Sequence, residues 1–194
     1  TSHSELMKTY NTQSHQLPGE LGLGDRIAVA GYAGATAAGE NIFAYADSPF
    51  HAHSAFAIDW GVPSRGHRTN LMNPSWREVG IGIVADNNTA TRTGPLVVTQ
   101  NFATRGALTN PFLSGVVYDD RNGDRSYDAG EGLGGVSITV SGPGGTFHAT
   151  TMTAGGWQVQ VPAGVYIVSA SGGGIIGTGS VPLAIGTDNV AVDF

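Results

Sequence analysis

Hydrophobic and polar positions along the chain change their period part of the way through. Early segments carry helical spacing. Ser4–Asn11 reads as the end of an amphipathic helix, and Asp25–Ala30, closing on Gly31, reads as a short one. Ser48-Pro49 sets a capping hydroxyl before a first-turn proline, and Phe50, Ala57 and Trp60 follow at helical intervals. Ser64 is placed to cap another short helix through Met72, stopped by Asn73-Pro74. The pattern then shifts to alternation. Val79, Ile81 and Ile83 are interleaved with glycine, and Leu96, Val98, Gln100 and Phe102 repeat every second residue across a turn at Asp86-Asn87-Asn88. Helices followed by an antiparallel pair predict an α+β layered unit.

Beyond Asn110-Pro111 only short alternating segments remain: 114–118, 136–140, 147–151, 157–161, 165–169 and 190–194. Turns such as Ser141-Gly-Pro-Gly-Gly145 and Pro162-Ala-Gly164 separate them, which predicts a small all-β sandwich. Gly172-Gly-Gly174 reads as a loop.

Charge divides the chain at the same place. Residues 1–110 hold seven basic and eight acidic residues, a balance of −1, and five of the six histidines. Residues 111–194 hold two basic and seven acidic residues, a balance of −5, and five of those acids fall between Asp119 and Glu131. Two domains are expected, 1–108 and 113–194, joined by a linker at 109–112. A net charge of −6 argues against a nucleic-acid partner, which needs a basic face. Without cysteine there is no disulfide, no thiolate nucleophile and no Cys-ligated zinc. No apolar run reaches the ~18 residues of a membrane span.

Three polar residues stand out in the first half: His15 in Ser14-His-Gln-Leu-Pro-Gly-Glu20, Glu40 in Gly39-Glu-Asn-Ile42, and His67 in Gly66-His-Arg68. They are far apart in sequence, so only tertiary structure could assemble them, and separate surface or turn residues are the alternative. The strings Gly39-Glu-Asn-Ile42, Trp60 with Ser64-Arg-Gly-His-Arg-Thr-Asn-Leu-Met-Asn-Pro74, and Val79-Gly-Ile-Gly-Ile83 resemble the bacterial branch of the CAP superfamily over about residues 3–106. That resemblance implies an α-β-α sandwich with an open cleft faced by His15, Glu40 and His67. It also implies a histidine pair, His15 and His67, able to hold zinc, with Glu40 as the general base if the protein is an enzyme. The family's second cleft glutamate would fall near Val62-Pro63, where no acid stands, and Asp59 is offset from it. Few residues precede His15, so the sandwich is expected to be truncated at its N-terminus, its missing segment or an oligomer partner covering the exposed wall. His51-Ala-His53 reads as a surface pair, because residues two apart on a helix diverge. His3 and His148 show no partners, and Trp76 reads as core.

In the second half, Asp120, Asn122, Asp124, Ser126, Asp128 and Glu131 place oxygen side chains in the register of an EF-hand loop. Arg125 stands where that loop wants glycine, and the flanks read as strands. Several carboxylates in one short turn repel unless a cation neutralises them, so Asp120, Asn122, Asp124, Asp128 and Glu131 are expected to bind Ca²⁺. A solvated acidic turn is the alternative. Gly115-Val-Val-Tyr-Asp-Asp-Arg-Asn-Gly-Asp124 and Asp128-Ala-Gly-Glu-Gly-Leu-Gly-Gly-Val136 are similar to the B-type repeats of bacterial surface adhesins over 113–194. This resemblance implies an Ig-like, calcium-stiffened spacer.

The expectation is therefore a secreted or surface-exposed binding or scaffold protein. Its first half would take a metal ion and a peptide, lipid or cell-envelope ligand. A metal-assisted hydrolase using His15, Glu40 and His67 is the second reading.

Overall fold

The computed structural model describes residues 2–106 and 110–194. The chain divides into two compact units, Thr1–Ala107 and Leu108–Phe194. Part of the expected linker, residue 109, lies outside the described residues.

The first unit is built from α1 (Ser2–Tyr10), α2 (Leu23–Val29), β1 (Ala35–Ala46), α3 (Pro49–Ile58), α4 (Gly66–Leu71), β2 (Glu78–Ala85) and β3 (Leu96–Arg105). Its sheet has the order β1-β3-β2, both pairings antiparallel. Residues directly paired across antiparallel strands share a face, and successive residues alternate. Ile42, Ala44 and Val97 therefore meet Met7 of α1 and Leu17 on one side. On the other, Val98 meets Ala52 and Phe56 of α3 together with Ala46, which a register shift between Phe43 and Ala46 carries out of the simple alternation. The α3 N-terminus forms as its sequence dictates, with the Ser48 hydroxyl accepting from the His51 N–H. The α4 start differs from expectation. Arg65, in the left-handed region, occupies the cap position, and Ser64 does not cap.

The second unit holds β4 (Phe112–Val116), β5 (Ser137–Gly142), β6 (Gly145–Thr150), β7 (Gly156–Gln160), β8 (Gly164–Ser171), β9 (Thr178–Ile185) and β10 (Val190–Ala191). They form one sheet of order β10-β4-β7 and another of order β6-β5-β8-β9. Inward residues of both meet in one core, including Leu113 and Trp157 from the first and Ile138, Val140, Tyr166 and Val168 from the second. Burying such side chains contributes about 1.5–3 kcal/mol each.

The expected architecture, an α+β chain with an N-terminal α-β-α sandwich followed by an all-β Ig-like sandwich, is corrected by this arrangement. The chain is mostly β, 38% strand against 17% helix, in three small sheets. Among the described residues no α-β-α sandwich forms. The physical reason is helix length. The four helices described run from six to ten residues and cover patches of the sheet, not layers. Along the edge strand β2, Val79, Ile81 and Ile83 stay exposed.

Gly115 has a steric role. A Cβ there would collide with the Val192 carbonyl, because the C-terminal segment runs close beside β4. Gly115→Ala is expected to lift that segment away and to cost about 1–3 kcal/mol. Hydrogen exchange at the Val192 and Phe194 amides, which bond to Ser114 and Val116 carbonyls, checks it by loss of protection.

Candidate functional site

Glu40 is an acid in a place where acids are costly. It lies on β1 opposite Asn101 and is 8% exposed, so its charge has to be met by donors. Arg26 of α2 supplies one, with Nη2 2.9 Å from Glu40 Oε2. His15 supplies the other, with Nδ1 2.9 Å from Oε1. The same guanidinium reaches Glu20 Oε1 through Nη1 at 2.9 Å, and His3 Nδ1 lies 2.7 Å from that oxygen. One forked cation thus joins two buried carboxylates, which suits the planar geometry of Arg. His3 is itself buried. Its Nε2 sits 3.7 Å from Glu40 Oε1 without a hydrogen bond.

His67 is held separately. Its Nδ1 lies 2.7 Å from Asp59 Oδ1, while Asp59 Oδ2 accepts the backbone N–H groups of His67 and Arg68. The link to Glu40 is indirect. Asn41 Nδ2 donates to the His67 carbonyl, and Asn70 Nδ2 donates to the Glu40 carbonyl and to Asn41 Oδ1. Glu40 and Asn41 are consecutive on β1, so their side chains leave opposite faces of that edge strand. The structure therefore brings His15 to Glu40 and His67 to Asp59, and joins the two pairs only through asparagines. Arg68 Nη1 donates to the Ala57 carbonyl.

In the second unit, the turn carrying Asp120, Asn122, Asp124, Asp128 and Glu131 is closed at its base by a Tyr118–Gly132 bridge. Asp120 accepts the N–H groups of Gly123, Asp124 and Arg125. The buried Glu131 accepts from the Arg121 and Asp128 N–H groups, one on each oxygen. Asn122 Nδ2 bridges Asp124 Oδ2 at 3.1 Å and Asp128 Oδ2 at 2.8 Å. Arg125 adopts φ 63°, the left-handed conformation that a glycine would otherwise supply at that position. Within the turn, Arg121 pairs with Asp119, and among the described residues no cationic side chain pairs with Asp120, Asp124, Asp128 or Glu131. The Tyr118 phenol records the resulting field. Burial, then the charges of Asp120, Asp193, Asp124 and Glu131, push its pKa up. Among the described residues, no group of three or more histidine, aspartate or glutamate side chains is arranged to hold a metal ion.

Sequence reasoning missed His3, Glu20, Arg26 and Asp59. The Glu20–Arg26 spacing of six residues carries no helical or strand signal, and Asp59 was visible only as an acid in an unexpected place. His51 pairs locally with Asp47 at 3.1 Å. His148 lies 3.4 Å from the Thr139 hydroxyl, and Trp76 stacks on Phe102. Among the described residues no helix is long and apolar enough to cross a membrane.

No family model matches the chain, and no curated protein matches it. Among solved structures it is similar to a candidate carbohydrate-binding protein from Bacteroides uniformis, with 18% identity and a TM-score of 0.34, over 44% of this chain and 40% of that one. It is also similar to DUF3823 family proteins from Bacteroides ovatus (15% identity, TM-score 0.32, 43% of this chain and 42% of that one) and Parabacteroides merdae (15%, 0.33, 43% and 44%). The chain thus spans under half the length of each, and likeness at this level assigns neither ligand nor activity. With no family model matching, the resemblances to the CAP superfamily and to adhesin B-type repeats are corrected. Of the strings that carry the first resemblance, Gly39–Ile42 lies within β1, Gly66–Leu71 forms α4 and Val79–Ile83 lies within β2, so short matches of this kind fall on ordinary strand and helix segments here.

The Glu20 carboxyl illustrates the acid sensitivity of this network. Burial pushes its pKa up, but His3 and Arg26 outweigh that and hold it below the ordinary 4.5. A pKa lower in the folded state contributes stability above the unfolded value, and that contribution fades as pH falls through the folded value. Thermal melts from about pH 6 down to about pH 3 are expected to show an acid limb that Glu20→Gln flattens.

Proposed function

We propose that this is an extracellular or surface-exposed binding protein without catalytic activity of its own. Its second unit is a spacer stiffened by Ca²⁺ in the 120–131 turn, and its histidine-bearing unit takes the ligand. The observation that carries this reading is the turn itself. Asp120, Asp124, Asp128 and Glu131 crowd one loop with no cationic side chain paired to any of them among the described residues, and their field reaches Tyr118. The donor set fits a hard cation, being all oxygen: carboxylates, the Asn122 carbonyl and the Ser126 hydroxyl. An ion would draw these oxygens inward, replacing the Asn122 amide that now bridges Asp124 and Asp128. Arg125 already holds the left-handed turn such a loop requires.

In the first unit, His15 and His67 each direct Nδ1 at a carboxylate. That arrangement is the usual outer support of a metal-bound imidazole and leaves Nε2 for a borderline ion such as Zn²⁺. A peptide, lipid or cell-envelope component is the alternative ligand class. The hydrolase reading is weaker on a specific ground. Glu40, its intended base, already receives Arg26 on one oxygen and His15 on the other.

A thermal melt with Ca²⁺ and with chelator tests the spacer. At a free concentration a hundredfold above Kd, Ca²⁺ is expected to add about 2.7 kcal/mol. For a unit of this size that raises its midpoint by roughly 4–8 °C per kcal/mol. Asp124→Ala is expected to abolish the rise. An unmoved midpoint in the parent protein, or an equal rise in Asp124→Ala, removes the calcium reading.

A further inference from the structure

Strand β2 is an edge of its sheet, paired with β3 on one side. Its register fixes which backbone groups face the other side. Asp86, just past the strand, donates its N–H to the Pro95 carbonyl across the ladder. Val84, Gly82 and Gly80 share its parity and also turn their backbone groups toward β3. Val79, Ile81, Ile83 and Ala85 therefore turn theirs to the open side. Lys8 Nζ takes the Ala85 carbonyl at 2.9 Å and closes that end. Among the described residues, the outward groups of Val79, Ile81 and Ile83 have no backbone partner. The same three residues form an apolar stripe on one face, 53%, 59% and 41% exposed.

Sheet edges are commonly guarded by proline, charge, bulges or short length. In the second unit β9 carries Pro182 and β10 spans only Val190–Ala191. On β1, the opposite edge of this sheet, the Gln13 side chain accepts the Ala44 N–H and Asn70 donates to the Glu40 carbonyl. Strand β2 has no proline and no register shift, and its one charged residue, Glu78, is tied to Arg105.

We propose that β2 is a self-association edge, pairing antiparallel with β2 of a second copy of this chain about a two-fold axis at Ile81. Side chains stay on their own face across such an axis only when residues of like parity meet. Centring on Ile81 sets Ile81 against its counterpart and Val79 against Ile83, so every outward N–H and C=O of the three finds a partner. The two apolar stripes become one, and the two three-stranded sheets continue as one. Glu78 then meets Val84, so no acid faces an acid. Centring on Gly82 instead would set Val79 against Ala85, whose carbonyl Lys8 already holds. One strand pair with a short stripe is a small interface, so association is expected to grow with concentration.

Sedimentation of the full chain across a concentration series reads the association. The parent is expected to shift from one mass to twice that mass. Ile81→Lys places two like charges at the axis and is expected to remain at the single mass. Because Ile81 is exposed, a dilute sample of that variant is expected to melt close to the parent midpoint. The chain has no cysteine, so single replacements report the register. Under mild oxidation Ile81→Cys is expected to form a covalent dimer, since directly paired Cα atoms about 5.5 Å apart lie within disulfide reach. Val79→Cys is expected to form none, its counterparts being about 13 Å apart along the strand. A parent that keeps the single mass throughout overturns the proposal and leaves the edge to a strand of another protein. A dimer undiminished in Ile81→Lys, or cross-linking at Val79→Cys as ready as at Ile81→Cys, overturns it as well. The cysteine pair decides the register even if the lysine variant does not fold.

Discussion

Placing the Glu40 carboxylate on a strand where almost no water reaches it organises much of the first unit. An ion removed from water needs both counter-charge and directed donors, and one partner rarely supplies enough. Here the answer comes from separate pieces of chain: Arg26 on the short helix α2, His15 on the loop before it, and His3 on α1 through the shared Glu20. Those elements make modest apolar contacts of their own. Their placement follows from the need to satisfy two buried acids, so the polar network is also a structural seam. The same demand leaves Glu40 with no oxygen free of a partner.

Much of the element pattern could be read from the chain. Ser48-Pro49 announced α3, the interleaved glycines announced β2, and the alternation from Leu96 announced β3, because each signal is local. The strand β1 was not legible. Its first half, Ala35-Thr-Ala-Ala-Gly, has no apolar alternation, and Glu40, Asn41 and Ile42 are buried in succession because partners cover both faces. A run buried on consecutive residues and carrying a charged and an amide side chain gives no period to detect. The strand β9 was hidden differently, since Pro182 lies in its middle, a residue tolerated there because β9 is an edge of its sheet.

The site was legible in parts. His15 and Glu40 were picked out separately and do meet, although nothing in their spacing could show it. His67 was picked out without Asp59, its actual partner, because the link depends on how α3 ends and α4 begins. His3 looked partnerless, since its partner Glu20 lies across a loop and only packing unites them. The acidic turn was the most readable element, being contiguous. Even there the sequence presented Arg125 as a defect in the pattern, whereas the backbone takes the left-handed form with arginine in place.

That arginine has an energetic consequence. A non-glycine residue in this region stores about 1–3 kcal/mol, and here the Asp120 carboxylate ties down the very N–H of Arg125, along with those of Gly123 and Asp124. The turn is therefore a cocked clasp with several catches. Drawing Asp120 away would let the Arg125 backbone relax, while Glu131, Asn122 and the Tyr118–Gly132 bridge keep their hold on the rest of the loop.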